Sequence, residues 1–171
     1  MPGEEREARQ ARRGNRIVGI SDMCISRNPE DVIITYSLGS CVGLALYDPA
    51  TKVGGMIHCM LPLSRIDKAK AEANPCMFTD TGVSALIQGL INVGASKSRI
   101  VAKVAGGAAP LNTNGMFQIG ERNFTVLHKV LWKNNILIAG KDVGGTAART
   151  MSLCINDGTT MIRSNQKEYL I

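Results

Sequence analysis

Aromatic residues are scarce in this 171-residue chain, in which they make up 4% of the sequence with a single tryptophan. Proteins that bind single-stranded nucleic acid stack bases on aromatic side chains, so the scarcity argues against nucleic acid as a partner. No apolar run approaches the roughly 18 residues that a membrane span needs. The N-terminus, MPGEERE, also lacks the apolar stretch of a signal peptide. The sequence therefore predicts a cytoplasmic protein without membrane insertion.

Closely spaced metal ligands are lacking as well. The chain contains no CxxC pair, and its two histidines, His58 and His128, lie 70 positions apart (128 minus 58). The cysteines are five, an odd number, and without a signal peptide they do not indicate a disulfide framework. We therefore expect no metal site and no disulfide.

Positive charge is what the chain has in excess, with a net charge of +6 and a pI of about 9.2. This balance favours an acidic partner. Several of the arginines lie near the N-terminus and alternate with glutamates, a composition typical of disordered termini. We predict a disordered basic tail over residues 1–14 and a single domain over residues 15–171. A docking arm for an acidic surface is the alternative interpretation of the tail.

The order of apolar segments predicts an α+β fold. Apolar residues recur at helical spacing from Thr79 to Gly94 and again over residues 120–134. Asp157-Gly158 is typical of a hairpin turn. Strands are expected over residues 32–35, 41–47, 53–60, 100–104, 136–139, 151–155 and 159–163. The strands and helices do not alternate strictly, so we expect a β-sandwich or mixed sheets flanked by two main helices.

Cys41 and His58 begin and end a predicted hairpin. If Asp48-Pro49-Ala50-Thr51 forms its loop, Tyr47 pairs with Lys52 and Cys41 lies directly opposite His58. Alternation then places Val42, Leu44 and Leu46 on a core-facing side of the sheet, and Cys41 and His58 on the other side. Directly opposed side chains have Cβ atoms about 5 Å apart, within reach for an imidazole to accept a thiol proton.

The segment Gly39-Ser40-Cys41-Val42-Gly43 fits a G-x-nucleophile-x-G pattern. In α/β-hydrolases that pattern leads from a strand into a helix. Here the residues after Cys41 have a strand pattern, so this class of hydrolase is excluded. Two interpretations of Cys41 remain, a catalytic nucleophile and a buried structural cysteine. His58 is correspondingly either a general base or a strand-end histidine bonded to backbone.

Five segments, in order, resemble the CheD family of chemoreceptor glutamine deamidases. They are TYSLGSC at 35–41, GGMIHCMLP at 54–62, AKVAGGA at 102–108, IGERN at 119–123, and DVGG at 142–145 followed by Arg149. The resemblance covers roughly residues 15–165. It implies a fold similar to the catalytic domain of cytotoxic necrotizing toxins.

The resemblance also implies a catalytic triad. The family has threonine six positions before its cysteine and histidine seventeen after, spacings that match Thr35, Cys41 and His58. It implies that His58 activates the thiol and lowers its pKa, that Thr35 orients the imidazole, and that backbone N–H groups near Ser40 and Cys41 hold the oxyanion. No metal or other cofactor is required. Tyr36-Ser37 departs from the family pattern, which usually has a smaller apolar residue and then glycine, and Ala105 replaces a bulkier residue.

The implied function is hydrolysis of glutamine side chains to glutamate in methyl-accepting chemotaxis receptors, which modulates chemotaxis. A CheC-type phosphatase is the second implied partner, and Met116 and Phe117 are a candidate partner-binding surface. Two alternatives stay open. One is a non-catalytic adaptor that binds the receptor and the phosphatase, and the other is a thiol esterase acting on receptor methyl esters.

Overall fold

The computed structural model describes residues 14–109 and 118–171, and within these ranges ten strands form two five-stranded sheets. The first sheet contains, in spatial order, β1 (Gly14–Val18), β3 (Asp31–Leu38), β8 (Arg149–Cys154), β9 (Thr160–Ser164) and β10 (Lys167–Leu170). The second contains β2 (Asp22–Ser26), β5 (Val53–Cys59), β4 (Val42–Asp48), β6 (Val101–Gly106) and β7 (Ile138–Val143). The expected α+β class with a β-sandwich is confirmed.

The helices are α1 (Lys68–Ala73), α2 (Thr79–Asn92) and α3 (Ile119–Lys133), with 3-10 turns at 64–66, 75–77 and 97–99. The two longer helices confirm the helices predicted from apolar spacing. Beyond α2, Gly94 has a φ of +108°, which glycine adopts without steric cost, and the next amide, of Ala95, returns to Leu90 O at 3.0 Å. In the described ranges, no helix is long and apolar enough to cross a membrane.

Two apolar cores separate three layers. One core lies between the sheets and includes Ile33, Met56 and Met151, all fully buried. The other lies between the second sheet and the two long helices, and includes Leu44 and Leu127. The second sheet is therefore buried on both faces, and every residue of β4 and β5 is buried. This double burial places any polar side chain of β5 in the interior.

The register of the β4–β5 hairpin differs from the expected one by two residues. Gly43, not Cys41, pairs with His58, and Asp48 pairs with Val53. The loop is therefore 49–52 rather than 48–51. The cause is Asp48, which is buried as the last residue of β4 and accepts two hydrogen bonds from Arg99 at 2.8 and 3.0 Å. Because the shift is even, the predicted side of each residue in the sheet is unchanged.

Some elements had no strong local signal. The strands β1, β2 and β10, all short, were not predicted, and β7 begins at Ile138, two residues later than expected. Gly14, assigned to the tail, is the first residue of β1. The rest of the predicted tail, and the candidate partner residues Met116 and Phe117, lie outside the described residues.

Candidate active site

Cys41 lies where the chain crosses from one sheet to the other. β3 ends at Leu38 in the first sheet, and β4 begins at Val42 in the second, so the short turn 39–41 spans the two layers. Two hydrogen bonds hold this turn to the end of β6. Gly107 N donates to Cys41 O, and Ala108 N donates to Gly39 O, both at 2.8 Å. The turn is thus anchored on both sides of the half-buried Cys41.

His58 lies on β5 and faces the first sheet. It pairs with Gly43, where an added Cβ would lie 2.8 Å from the side chain of Leu38 in the first sheet. Directly paired residues share a face, so the imidazole is directed into the same intersheet layer. Cys41 precedes Gly43 by two residues and packs against the intersheet core. The structure therefore places Cys41 and His58 on one side, in a diagonal rather than a directly opposed relation.

A hydrogen bond between the sheets orients the imidazole. Thr35 Oγ1, on β3 of the first sheet, lies 2.8 Å from His58 Nδ1 and 2.8 Å from Val18 O. A hydroxyl has one proton, and a carbonyl oxygen can only accept, so the hydroxyl donates to Val18 O. His58 Nδ1–H then donates to Thr35 Oγ1. This tautomer leaves Nε2 without a proton.

The unprotonated ring nitrogen of His58, Nε2, is the atom that can act as a base. His58 is fully buried, and its Nε2 has no hydrogen-bond partner within the described ranges. A buried polar atom without a partner is uncommon in native structures, and a catalytic role is one explanation for it. An unprotonated Nε2 on the same side of the sheet as a thiol is suited to accept the thiol proton.

Burial sets the resting charges of this pair. It lowers the pKa of His58 below the usual 6.5 and raises the pKa of the Cys41 thiol above the usual 9.0. The expected lowering of the thiol pKa is therefore not found, because desolvation is the largest effect at both groups. At neutral pH the resting pair is a thiol and a neutral imidazole, and the thiol proton moves when the nucleophile attacks.

The chain is similar in sequence to proteins of one known family. A family model described as CheD chemotactic sensory transduction matches residues 60–164. A protein of Solibacter usitatus named "Probable chemoreceptor glutamine deamidase CheD" is 46% identical over 152 residues, which are 89% of this chain and 90% of that protein. The chain belongs to the CheD family.

A second CheD-family relative, "Probable chemoreceptor glutamine deamidase CheD 1" of Syntrophus aciditrophicus, is 45% identical over 89% of this chain and 95% of its own length. The alignment leaves out 19 of the residues of this chain (171 minus 152), so even if all 19 lie at one end, it includes residues 20–152. Among solved structures, Bacillus licheniformis hypothetical protein YfiH aligns with a TM-score of 0.47 and 13% identity, over 73% of this chain and 50% of that one. That likeness is too weak to support an argument.

Asn123, within the IGERN segment that resembles the CheD family, has a place that sequence reasoning did not assign. It is fully buried on α3, and its Nδ2 donates to Ser40 O and to Met60 O, each at 3.0 Å. Its Oδ1 lies 3.3 Å from Thr79 Oγ1. The side chain therefore connects the turn carrying Cys41 to the chain just beyond His58. The resemblance of this segment to the CheD family was the available signal.

The DVGG segment packs beside the end of β6, to which the turn 39–41 is bonded. Arg149 Nη2 donates to Asp142 Oδ1 at 3.0 Å, and Tyr169 OH also bonds to Asp142. Gly144 N donates to Gly106 O at 3.0 Å. The two glycine-rich segments thus lie side by side next to the turn 39–41.

A cleft of about 360 Å³ borders the turn on the α3 side. Its lining includes Ser40, Gly107, Gly120, Glu121, Phe124 and Gly144. Cys41 and His58 do not line this cleft, because their side chains lie on the intersheet side of the second sheet. Within the described ranges, no group of three or more His, Cys, Asp or Glu residues is placed to hold a metal ion.

Proposed function

We propose that this protein hydrolyses glutamine side chains of methyl-accepting chemotaxis receptors to glutamate and thereby modulates chemotaxis. The observation that carries the proposal is the hydrogen bond from His58 Nδ1 to Thr35 Oγ1, which leaves a bare Nε2 on the same side as Cys41. The names of the CheD relatives supply the substrate class.

The first half of the reaction forms a thioester. Cys41 Sγ attacks the side-chain carbonyl carbon of glutamine, and His58 Nε2 takes the thiol proton. Backbone N–H groups of Ser40 and Cys41 stabilise the oxyanion. His58 then transfers the proton to the departing nitrogen, and ammonia leaves. Thr35 keeps the imidazole in the required tautomer throughout, as the third member of a triad does.

The second half consumes one water molecule. His58, neutral again, accepts a proton from water, and the hydroxide attacks the thioester carbon. The carbon–sulfur bond breaks, Cys41 recovers its proton from His58, and glutamate is released. The net change is amide and water to carboxylate and ammonium. Each proton transfer at the reacting carbon uses Cys41 or His58, and the released acid gives its proton to ammonia in solution, so the scheme uses no metal or other cofactor.

The proposal extends to location and partners. The net charge of +6 suits an acidic protein surface, so we infer binding to the cytoplasmic part of a receptor. A CheC-type phosphatase is the second proposed partner, and Met116 and Phe117 remain the candidate contact residues. Residues 14–171 are proposed to act as one deamidase domain, with the basic segment 1–13 as a separate tail.

The direct test follows the intact mass of a purified cytoplasmic receptor fragment during incubation with the protein. Each deamidated glutamine adds about one dalton, and the gain is absent with Cys41→Ala because the nucleophile is lost. Peptide mapping then locates the sites. Ammonia release by Cys41→Ala would contradict the assigned nucleophile. Binding without any mass change would favour the adaptor function, and methanol release from a methylated fragment would indicate an esterase.

A further inference from the structure

We propose that Asn123 is a positioning residue that orients the Ser40–Cys41 peptide, so that the Cys41 N–H faces the oxyanion formed on the substrate. This inference rests on the proposed function. Ser40 O, which Asn123 Nδ2 contacts at 3.0 Å, belongs to the same peptide unit as the Cys41 N–H. A contact that fixes the direction of Ser40 O therefore also fixes the direction of the Cys41 N–H.

The orientation of the Asn123 carboxamide is determined by its neighbours. Ser40 O and Met60 O are both carbonyl oxygens, which only accept, so the NH₂ group must face them. The opposite atom, Oδ1, lies 3.3 Å from Thr79 Oγ1, which also lies 3.1 Å from Leu61 O. Both amide protons have carbonyl partners, and the residue is fully buried. A buried carboxamide held by two such bonds has one favoured orientation and specifies the arrangement of its surroundings.

Peptide geometry transmits this arrangement to the nucleophile. The described peptide bonds are all trans, so C=O and N–H of one unit point in opposite directions. Asn123 lies on α3 and draws Ser40 O towards the helix layer. The Cys41 N–H is thereby directed towards the intersheet side, where Cys41 packs and His58 lies.

The Cys41 amide is also available. Within residues 14–109 and 118–171, no acceptor is found for Cys41 N, although Cys41 O is bonded to Gly107 N. The N–H lies near its own sulfur, where it partly offsets the rise in the thiol pKa caused by burial. A donor beside the attacking sulfur is well placed for the oxyanion, because that oxygen is bonded to the carbon under attack.

Two features make the role specific to asparagine. Aspartate has the same shape, but its carboxylate has no proton to donate to Ser40 O or Met60 O. Serine retains one donor but is too short to contact both carbonyls. The contact with Met60 O ties the arrangement to the chain two residues beyond His58. Loss of the carboxamide should therefore release the peptide unit while the strands bearing His58 and Thr35 stay paired.

The test compares Asn123→Asp and Asn123→Ser with the wild-type protein on the receptor fragment. Since removal of an oxyanion donor costs about 100- to 1,000-fold and a misdirected donor somewhat less, we expect kcat to fall about 10- to 100-fold. KM should stay within about twofold, because ground-state binding is not altered. Alkylation of Cys41 by iodoacetamide forms no oxyanion, so its rate should stay within about threefold.

Asn134→Asp is the matched control. Asn134 follows the end of the same helix, and its Nδ2 also donates to a carbonyl, Val130 O, at 2.8 Å. It is remote from the turn, so its variant should retain the wild-type kcat. Wild-type kcat in the Asn123 variants would overturn the inference. A parallel loss of kcat and alkylation would overturn it too, because Asn123 would then place the thiol rather than orient the peptide.

A measurement on the wild-type protein covers the case in which the variants do not fold. A receptor peptide with an aldehyde in place of the glutamine amide forms a hemithioacetal with Cys41. We expect the Cys41 amide proton, observed by ¹⁵N-resolved NMR, to move downfield relative to the iodoacetamide-alkylated protein. No such difference would overturn the inference. A wild-type protein that binds the fragment but releases no ammonia would instead contradict the proposed function.

Discussion

Replacement of Thr35 by valine removes the hydroxyl that contacts His58 and keeps a side chain of similar shape. Thr35 Oγ1 accepts from His58 Nδ1 at 2.8 Å, and both residues are fully buried. In the Thr35→Val variant, a proton on Nδ1 has no partner, which costs about 1–3 kcal/mol for a buried donor. Nε2 also has no partner, so the bond to Thr35 is what favours a proton on Nδ1, and without that bond the inactive tautomer, with its proton on Nε2, becomes populated.

The size of the effect follows from the same free energy. Each 1.4 kcal/mol corresponds to about a tenfold change, so the loss of 1–3 kcal/mol lowers the ratio of active to inactive tautomer about 5- to 150-fold. We expect kcat for deamidation to fall by up to this factor, because the imidazole also loses the bond that orients it. KM should be little changed, because Thr35 is buried between the sheets and out of reach of a receptor surface.

The assay is ammonia release from the receptor fragment, at a temperature where circular dichroism shows each variant to be folded. Thr35→Ser is the matched control, since it keeps Oγ and loses only a methyl group, and we expect kcat within about threefold of wild type. The decisive comparison is between the two variants. A folded Thr35→Val protein with more than half the wild-type kcat would refute the tautomer argument.

Three further predictions concern pH and stability. The pKa of His58 lies below 6.5 in the folded protein, so kcat/KM should fall only below pH 6.5. As the pH falls, the unfolded chain binds the His58 proton before the folded protein does. The stability that His58 supplies is therefore complete above pH 6.5 and is lost as the pH falls. Ser37→Gly should raise the free energy of unfolding by up to about 1 kcal/mol, because exposed Ser37 has a φ of +58°, which favours glycine. Asp48→Asn should lower it by about 2 kcal/mol, because charged hydrogen bonds to Arg99 and to Ser96 N are weakened.

Urea unfolding between pH 5 and 7.5, with His58→Gln as control, measures these stabilities. A pH dependence unchanged by His58→Gln would contradict the first prediction. A lower free energy of unfolding in Ser37→Gly would contradict the second prediction. A change below about 0.5 kcal/mol in Asp48→Asn, the range of ordinary surface substitutions, would mean that the buried carboxylate contributes little.

Local patterns predicted the two long helices, because burial of one face leaves a periodic trace in sequence. The alternation of larger and smaller side chains predicted β4 and β5, whose two faces are both buried. The hairpin register was wrong because the position of Asp48 depends on Arg99, 51 positions away along the chain. Asp48-Pro49 by itself is an ordinary turn signal, and only the buried ion pair makes Asp48 the end of a strand. The short strands at or near the sheet edges, such as β1 and β10, bury too little apolar surface to leave a pattern.

Some residues of the candidate site could be related from the sequence, and others could not. Cys41 and His58 are near enough in sequence for strand pairing to relate them. Thr35 belongs to the other sheet, and its place beside His58 was implied only by the resemblance to the CheD family. The contacts of Asn123 with Ser40 and Met60 span 83 and 63 positions. No spacing rule reaches so far, so only the folded structure relates these residues.

The location of Thr35 and His58 on different sheets has a thermal consequence. A small separation of the two layers would break a 2.8 Å hydrogen bond while leaving both sheets intact. Activity should therefore decline on heating before the far-ultraviolet signal of the strands changes. Substitutions in the intersheet core, such as at Met151 or Ile162, should lower kcat without touching the substrate. The turnover rate of this protein should therefore respond to small changes in the packing between its two sheets.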